Sequence, residues 1–466
     1  MPIKTRLGVS VCSAVAVLVM SSASPAGNPI LPGLGVCDPD IRVYNGRAYL
    51  YASHDADVTN KTWRMDDWWV WSSDDLVNWR QESVLKPEQT YWRKPSDTCW
   101  ATTAATRDGK YYFYFSRGRD ATGVVVGDSP FGPWHDPIGK PLVSPASTPT
   151  KTAARDPAIL QETDGNDYIV FGKFDFYVAK LNRDMVSLAE SPRLIKLDRK
   201  FGPMGEGKTD DKPFLHRRGD KYYLSWGCFY AMADNPYGPF TYKGSVIDAA
   251  HTEPAFRKVL QVDRHGSFFE FNGQSYFTCN DENSSGATHY FRNSVISYVR
   301  YRQNGEIAPV RLDAQGVGSY DVAKGPVEAE DFFTADGPTP DAAKPTVRES
   351  ADGFEVAGLG SGGGLGFPRV ANLPADATLE FRIAAAGPGT TITVHAGRNG
   401  PVIGRCDVAA TSGVTDFRTT ACPLKNPAGT TDLYFVVITN GADVRLDRWS
   451  VRGATPTTTP TTQLGQ

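Results

Sequence analysis

Two phrases of one design draw attention to their chemistry: Asp38-Pro39-Asp40-Ile41 and Asp156-Pro157-Ala158-Ile159, each an aspartate and a proline leading into an apolar run. Proline fixes its own φ and offers no N–H, so it marks a strand start or edge where the preceding carboxylate can point away from the ladder. Taken alone, an Asp-Pro step is ordinary turn chemistry. A third acidic group, Glu206, Asp210 and Asp211, precedes another apolar run in "GEGKTDDKPFLHRRGD". Brought to one place, carboxylates from these three stretches make the set that acid–base hydrolysis needs, a proton acceptor and a proton donor held apart in pKa.

Five segments supply elements that could position them: "NGRAYLYAS" (45–53), "DGKYYFYFS" (108–116), "GNDYIVFG" (165–172), "GDKYYLSWG" (219–227) and "NGQSYFTCN" (272–280). Their tyrosines 49, 112, 168, 223 and 276 are separated by 63, 56, 55 and 53 residues, which is the spacing of a repeat. Asn-Gly and Asp-Gly are hairpin signals, and the runs after them have the aromatic and β-branched content of strands. Each unit has room for about four short strands, one propeller blade. The chain is thus expected to be all-β, a five-bladed β-propeller over residues 27–320. A sandwich with similar hairpins is the competing arrangement. In a propeller the inner strands ring a central channel, and Asp38 and Asp156, 118 residues apart, meet only across its axis.

The 466 residues, 40 % apolar and 11 % aromatic, suffice for one large core and a smaller one. A net charge of −3 with no basic run excludes the electrostatic footprint of a nucleic-acid binder. Lys4 and Arg6, an apolar run from Leu7 to Met20 and "SSASPAG" read as an export signal over 1–26, too short to span a membrane. Secretion without a membrane anchor is the expectation. Six cysteines remain beyond the signal, and Cys406 with Cys422 is the favoured disulfide. No CxxC or paired-histidine spacing suggests zinc, so no metal ligand is assigned. After "GSYDVAKGP" tryptophan becomes rare and alternating strands such as "TTITVHAG" read as a β-sandwich over 327–453, followed by a Thr/Pro tail over 454–466.

The stretches "NPILPGLGVCDPDIRVYNGRAYLYAS", "CWATTAATRDGKYYFYFS", "DSPFGPWHDPIGKPLV", "RDPAILQETDGNDYIVFG", "YVAKLNRDMVSL" and "KPFLHRRGDKYYLSW", in this order over about 28–320, resemble glycoside hydrolase family 43. "VEAEDF" and "ADVRLDRWSV" resemble the ends of family 6 carbohydrate-binding modules. The resemblance implies a secreted inverting glycosidase acting on plant poly- or oligosaccharide, of α-L-arabinofuranosidase or β-xylosidase type. It assigns Asp38 as general base and Asp156 as the carboxylate that tunes and orients the acid. The family's Glu-x-Pro acid falls at Asp211 by register, one methylene short, with Glu206 as the competing donor. His265 resembles a histidine near the channel centre that orients the acid or helps hold a central cation through water. No cofactor is required, and a structural calcium at the propeller centre is admitted. Trp100 and Phe174 are the candidate sugar-stacking rings; most of Trp68, Trp69, Trp71, Trp226 and Phe229 read as core. In the module only Phe354, Phe367 and Trp449 are on offer. Two alternatives stay open: a retaining fructan- or sucrose-type propeller, suggested by Arg155-Asp156-Pro157, and a non-catalytic carbohydrate-binding propeller, suggested by the missing Glu-x-Pro.

Overall fold

The computed structural model describes residues 27–148, 153–257, 265–282, 286–425, 427 and 429–452. The export signal and the Thr/Pro tail lie outside these residues. Five antiparallel meanders form the blades of a propeller. Their innermost strands are Val36–Tyr44, Cys99–Arg107, Ala158–Gln161, Pro213–Arg218 and Gly266–Phe271, each packed beside the next around the axis. Three of the inner hairpins turn through Asn45-Gly46, Asp108-Gly109 and Asn272-Gly273, all six residues with φ between 51° and 78°. Two successive left-handed residues are the requirement of a type I′ turn, whose twist matches the strands, which is why Asn-Gly and Asp-Gly recur there.

Blades one, three and four have the expected four strands, whereas two and five have three. In blade two, Pro133, Pro137 and Pro141 interrupt the place of a fourth strand, and only isolated bridges Val126↔His135 and Thr122↔Val143 form. Blade five is covered by residues 28–30: Ile30 N–H donates to Ser294 O (3.0 Å), and the Asn28 side chain accepts from Ile296 N and donates to Ile296 O, both 2.9 Å. Trp68 and Trp226 are fully enclosed and Trp71 and Phe229 nearly so, packed within and between blades.

The second domain is a sandwich of two six-stranded sheets. Phe367 and Trp449 are fully buried between them, edge-on to each other, with Trp449 also edge-on to Phe435, so they serve the core and not a sugar. Its first strand, Tyr320–Asp321, comes from before residue 327 and pairs with Gly364–Leu373. Arg369 joins the domains, donating from Nε to Gly318 O (2.7 Å) and from Nη1 to Asp75 of blade one (2.9 Å). Cys406 and Cys422 form a disulfide between strands of opposite sheets, 16 residues apart. By loop-closure entropy, the Cys406→Ser/Cys422→Ser pair should lower the sandwich's unfolding free energy by ~3 kcal/mol in denaturant titrations.

Candidate active site

Asp38 and Asp156 share a backbone device. Both have left-handed φ, 49° and 57°, and both are followed by proline and a strand. Aspartate tolerates that region better than most residues, and the turn swings its carboxylate out of the ladder and towards the axis. In blade one the register slips between Cys37 and Asp40, so Asp38 and Pro39 stand out of the pairing. Lys212-Pro213-Phe214-Leu215 repeats the device in blade four, with Lys212 at φ 48°. Asp211 precedes that slot by one residue and still reaches the same cavity. The cavity, of about 500 Å³, is lined among others by Asp38, Asp156, Asp211, His265, Arg155, Lys173, Arg292, Trp100 and Trp63.

Asp38 is 2 % exposed and held from several sides. Ser53 Oγ donates to it at 2.8 Å, Asn280 Nδ2 at 2.9 Å and Arg292 Nη1 at 3.0 Å, and His265 Nδ1 lies 2.9 Å from the same oxygen. Burial alone would raise this carboxyl, but Arg292, His265 and Lys212 outweigh it and keep it well below the usual range. Asp156, equally buried, is pushed the other way by desolvation and by the charges of Asp211 and Asp38, which Arg155 only partly offsets. Ser116 Oγ donates to it at 3.3 Å, and Arg155 Nε lies at 3.4 Å. Asp211 accepts from Arg155 Nη2 at 3.0 Å, with Lys173 Nζ at 3.4 Å and His265 Nε2 in contact. Its burial would raise the carboxyl; His265, Arg155 and Lys173 together bring it below the usual range.

The sequence candidates are therefore not all together. Asp38, Asp156, Asp211, His265 and Trp100 line the cavity. Glu206 does not: it sits on a separate hairpin, Phe201–Gly202 with Gly205–Glu206, its side chain 70 % exposed and paired with Arg199 at 3.1 Å. Phe174 lies off the cavity wall in a left-handed turn, its ring under the ammonium groups of Lys173 and Lys208. Trp100 carries the Arg155 guanidinium over its ring at 5.1 Å. Sequence reasoning passed over Arg292, Lys173, Lys212 and Trp63. Only Lys212 left a local signal, its X-Pro-X-Leu phrase.

Arg292 is the keystone of the floor. Its Nε and Nη2 bind Asp55 at 2.8 and 3.0 Å, its Nη1 binds Asp38, and the three side chains are almost wholly enclosed. Arg292→Met would leave two buried carboxylates short of their counter-charge, and unfolding titrations should show a loss of ~3–5 kcal/mol.

A calcium ion at the propeller centre does not fit the residues found there. Among the described residues no three His, Cys, Asp or Glu side chains cluster as metal ligands. Lys212 Nζ already takes up two backbone carbonyls at the axis, Asp38 O at 3.0 Å and Thr102 O at 3.3 Å.

A five-bladed propeller with carboxylates converging at one end of its axis, followed by a β-sandwich, defines a glycoside hydrolase with an appended module. The chain matches the profile of Glycosyl hydrolases family 43 over residues 26–307 and that of Carbohydrate binding module (family 6) over 328–453. It belongs to glycoside hydrolase family 43, whose members need no cofactor for catalysis. An arabinoxylan arabinofuranohydrolase of Paenibacillus polymyxa is 27 % identical over 91 % of this chain and 74 % of its own. A xylosidase/arabinosidase of Humicola insolens is 30 % identical over 60 % of this chain and 98 % of its own. The crystal structure of a family 43 arabinoxylan arabinofuranohydrolase from Bacillus subtilis, in complex with cellotetraose, covers 91 % of this chain and 97 % of its own at 22 % identity and a TM-score of 0.54, a likeness of fold. Among the described residues no helix is long and apolar enough to cross a membrane.

Proposed function

We propose that this chain is a secreted, inverting glycosidase that releases α-L-arabinofuranose or β-D-xylose from plant polysaccharide. The observation that carries the reading is the unequal treatment of three carboxylates in one cavity: Asp38, which accepts from Ser53, Asn280 and Arg292, and Asp211, beside His265, Arg155 and Lys173, are held towards their ionised forms, while Asp156 is pushed towards its neutral form. The names of the relatives supply the sugar class. Residues 1–26 are the cleaved signal, 27–320 the catalytic propeller, 327–453 the module and 454–466 a Thr/Pro-rich tail.

Inversion needs a base on a water at one face of the sugar and an acid on the leaving oxygen at the other. Asp38 is the base: an ionised carboxylate, oriented by Ser53 and Asn280, takes a proton from the attacking water. Asp211 is the acid, working as a pair with His265, which touches it through Nε2 and Asp38 through Nδ1. The proton that passes to the leaving oxygen is shared between Asp211 Oδ1 and His265 Nε2. Asp156 sits beside Arg155, the guanidinium that also grips Asp211, and sets the field in which that proton is held. Trp100 offers a ring to the sugar. No cofactor enters this chemistry.

The test is sugar release from arabinoxylan, arabinan, xylo-oligosaccharides and aryl pentosides, with NMR of the anomer first formed. Release of arabinose or xylose with inverted configuration is expected; retained configuration would assign Asp38 the nucleophilic role of the fructan-type propellers and overturn the inverting mechanism.

A further inference from the structure

Lys212 is 1 % exposed, deep under the cavity floor, where an ammonium group is costly unless its hydrogen bonds are met. Its two carbonyl partners are unusual in origin. Asp38 O belongs to the residue expelled from blade one by the slip between Cys37 and Asp40, and Thr102 O lies at the slip in blade two between Trp100 and Thr102. Each slip places a carbonyl at the axis, and a side chain from blade four collects both. Three blades are thereby tied at the level of the cavity floor. The charged groups facing Lys212 are Asp40, Asp38, Asp156 and Arg42; burial lowers the pKa of the ammonium, and the three carboxylates offset that only in part. The backbone supports the placement: Lys212 occupies the left-handed, pre-proline slot that holds Asp38 in blade one and Asp156 in blade three. A lysine at φ 48° carries strain that glycine would not.

We infer that Lys212 is a positioning residue of the catalytic centre, an internal cation that clamps the Asp38 peptide across the propeller axis and takes the place of any bound cation there. The inference rests on the proposed role of Asp38 as base. Without the clamp, Asp38 O loses the ammonium that donates to it, and the turn that aims the carboxylate loses its far anchor. A displacement of about 1 Å at a reacting group is worth roughly 100-fold in rate. The base also loses a positive neighbour. Arg292, His265, Asp55 and Asp156 still surround it, so the acid limb of kcat/KM moves upward by about one pH unit without collapsing.

Two variants test this. Lys212→Gly relieves the left-handed backbone and opens a cavity of the lysine's shape; Lys212→Met fills that cavity and removes only the charge. Both should lose about 100-fold in kcat with a smaller change in KM, and both should show the upward shift of the acid limb. n-Butylammonium should restore turnover to Lys212→Gly but not to Lys212→Met. The same amine should raise the melting temperature of Lys212→Gly and leave wild type and Lys212→Met unmoved, a readout that needs no substrate. Added calcium should change neither the melting temperature nor the turnover of wild type. A wild-type-like pH profile in both variants overturns the proposal; so does a loss of turnover with an unmoved acid limb and no amine effect on melting, which would make Lys212 packing alone. Failure of the wild type on every glycan would count against the proposed activity, while the melting experiment would still decide the clamp.

Discussion

Asp38→Asn should fold as the wild type does and lose about 10²- to 10⁴-fold in kcat, with KM little changed. The substitution is nearly isosteric and keeps an oxygen for Ser53 or Arg292. What it removes is the negative charge that receives the water's proton. The fold should tolerate this because Arg292 retains Asp55, which binds it through both Nε and Nη2. Wild type makes the complementary point in its pH dependence. Arg292, His265 and Lys212 hold the Asp38 carboxyl well below its ordinary value of 3.8, so the base stays ionised and kcat/KM should not fall between pH 7 and pH 5 on its account. Azide, an anion that needs no deprotonation, should restore turnover to Asp38→Asn and yield a glycosyl azide of inverted configuration. The measurements are steady-state kinetics on an aryl pentoside and NMR of the azide adduct. An Asp38→Asn enzyme with wild-type kcat would remove Asp38 from the chemistry.

The part of this site that could be read from the sequence is the part written in local phrases. Asp38 and Asp156 announce themselves through the proline that follows, because a left-handed aspartate and a fixed φ make one short-range device. Lys212-Pro213 is the same device, and a search for carboxylates alone passes over it. Arg292 could not be found this way, since the contact that gives it meaning joins residues 254 apart in the chain. Glu206 has the length of a proton donor and the right neighbourhood in sequence, but two strands of two residues each fold it into an exposed hairpin. Strands so short leave no periodicity to detect. The blade count was legible from five hairpins of one pattern; the strand count within blades two and five was not, because prolines in one and residues 28–30 in the other decide which edges are paired. In the sandwich, Cys406 and Cys422 could be paired from their proximity in sequence, whereas the burial of Phe367 and Trp449 depends on both sheets.

Asp211→Asn separates the two candidate donors and does so most sharply through the leaving group. On arabinoxylan or a xylo-oligosaccharide the departing oxygen becomes a sugar hydroxyl and must be protonated as the bond breaks, so the loss should reach about 10²- to 10⁴-fold in kcat/KM. A nitrophenolate leaves without that help, and the same variant should lose far less on a nitrophenyl pentoside. Glu206→Gln, altering a side chain that is exposed and bound to Arg199, should match the wild type on both substrates. The shorter donor also makes a prediction of its own. Arg155, Lys173 and His265 all converge on Asp211, and His265 reaches Asp38 with its other nitrogen. Asp211→Glu pushes the carboxylate one methylene further into that ring of partners, so its activity on the polysaccharide should fall between those of wild type and Asp211→Asn. Equal losses of Asp211→Asn on polymer and nitrophenyl substrates would mean that Asp211 shapes the pocket without giving the proton, and Asp156, which burial pushes towards its neutral form, or His265 would then be the acid.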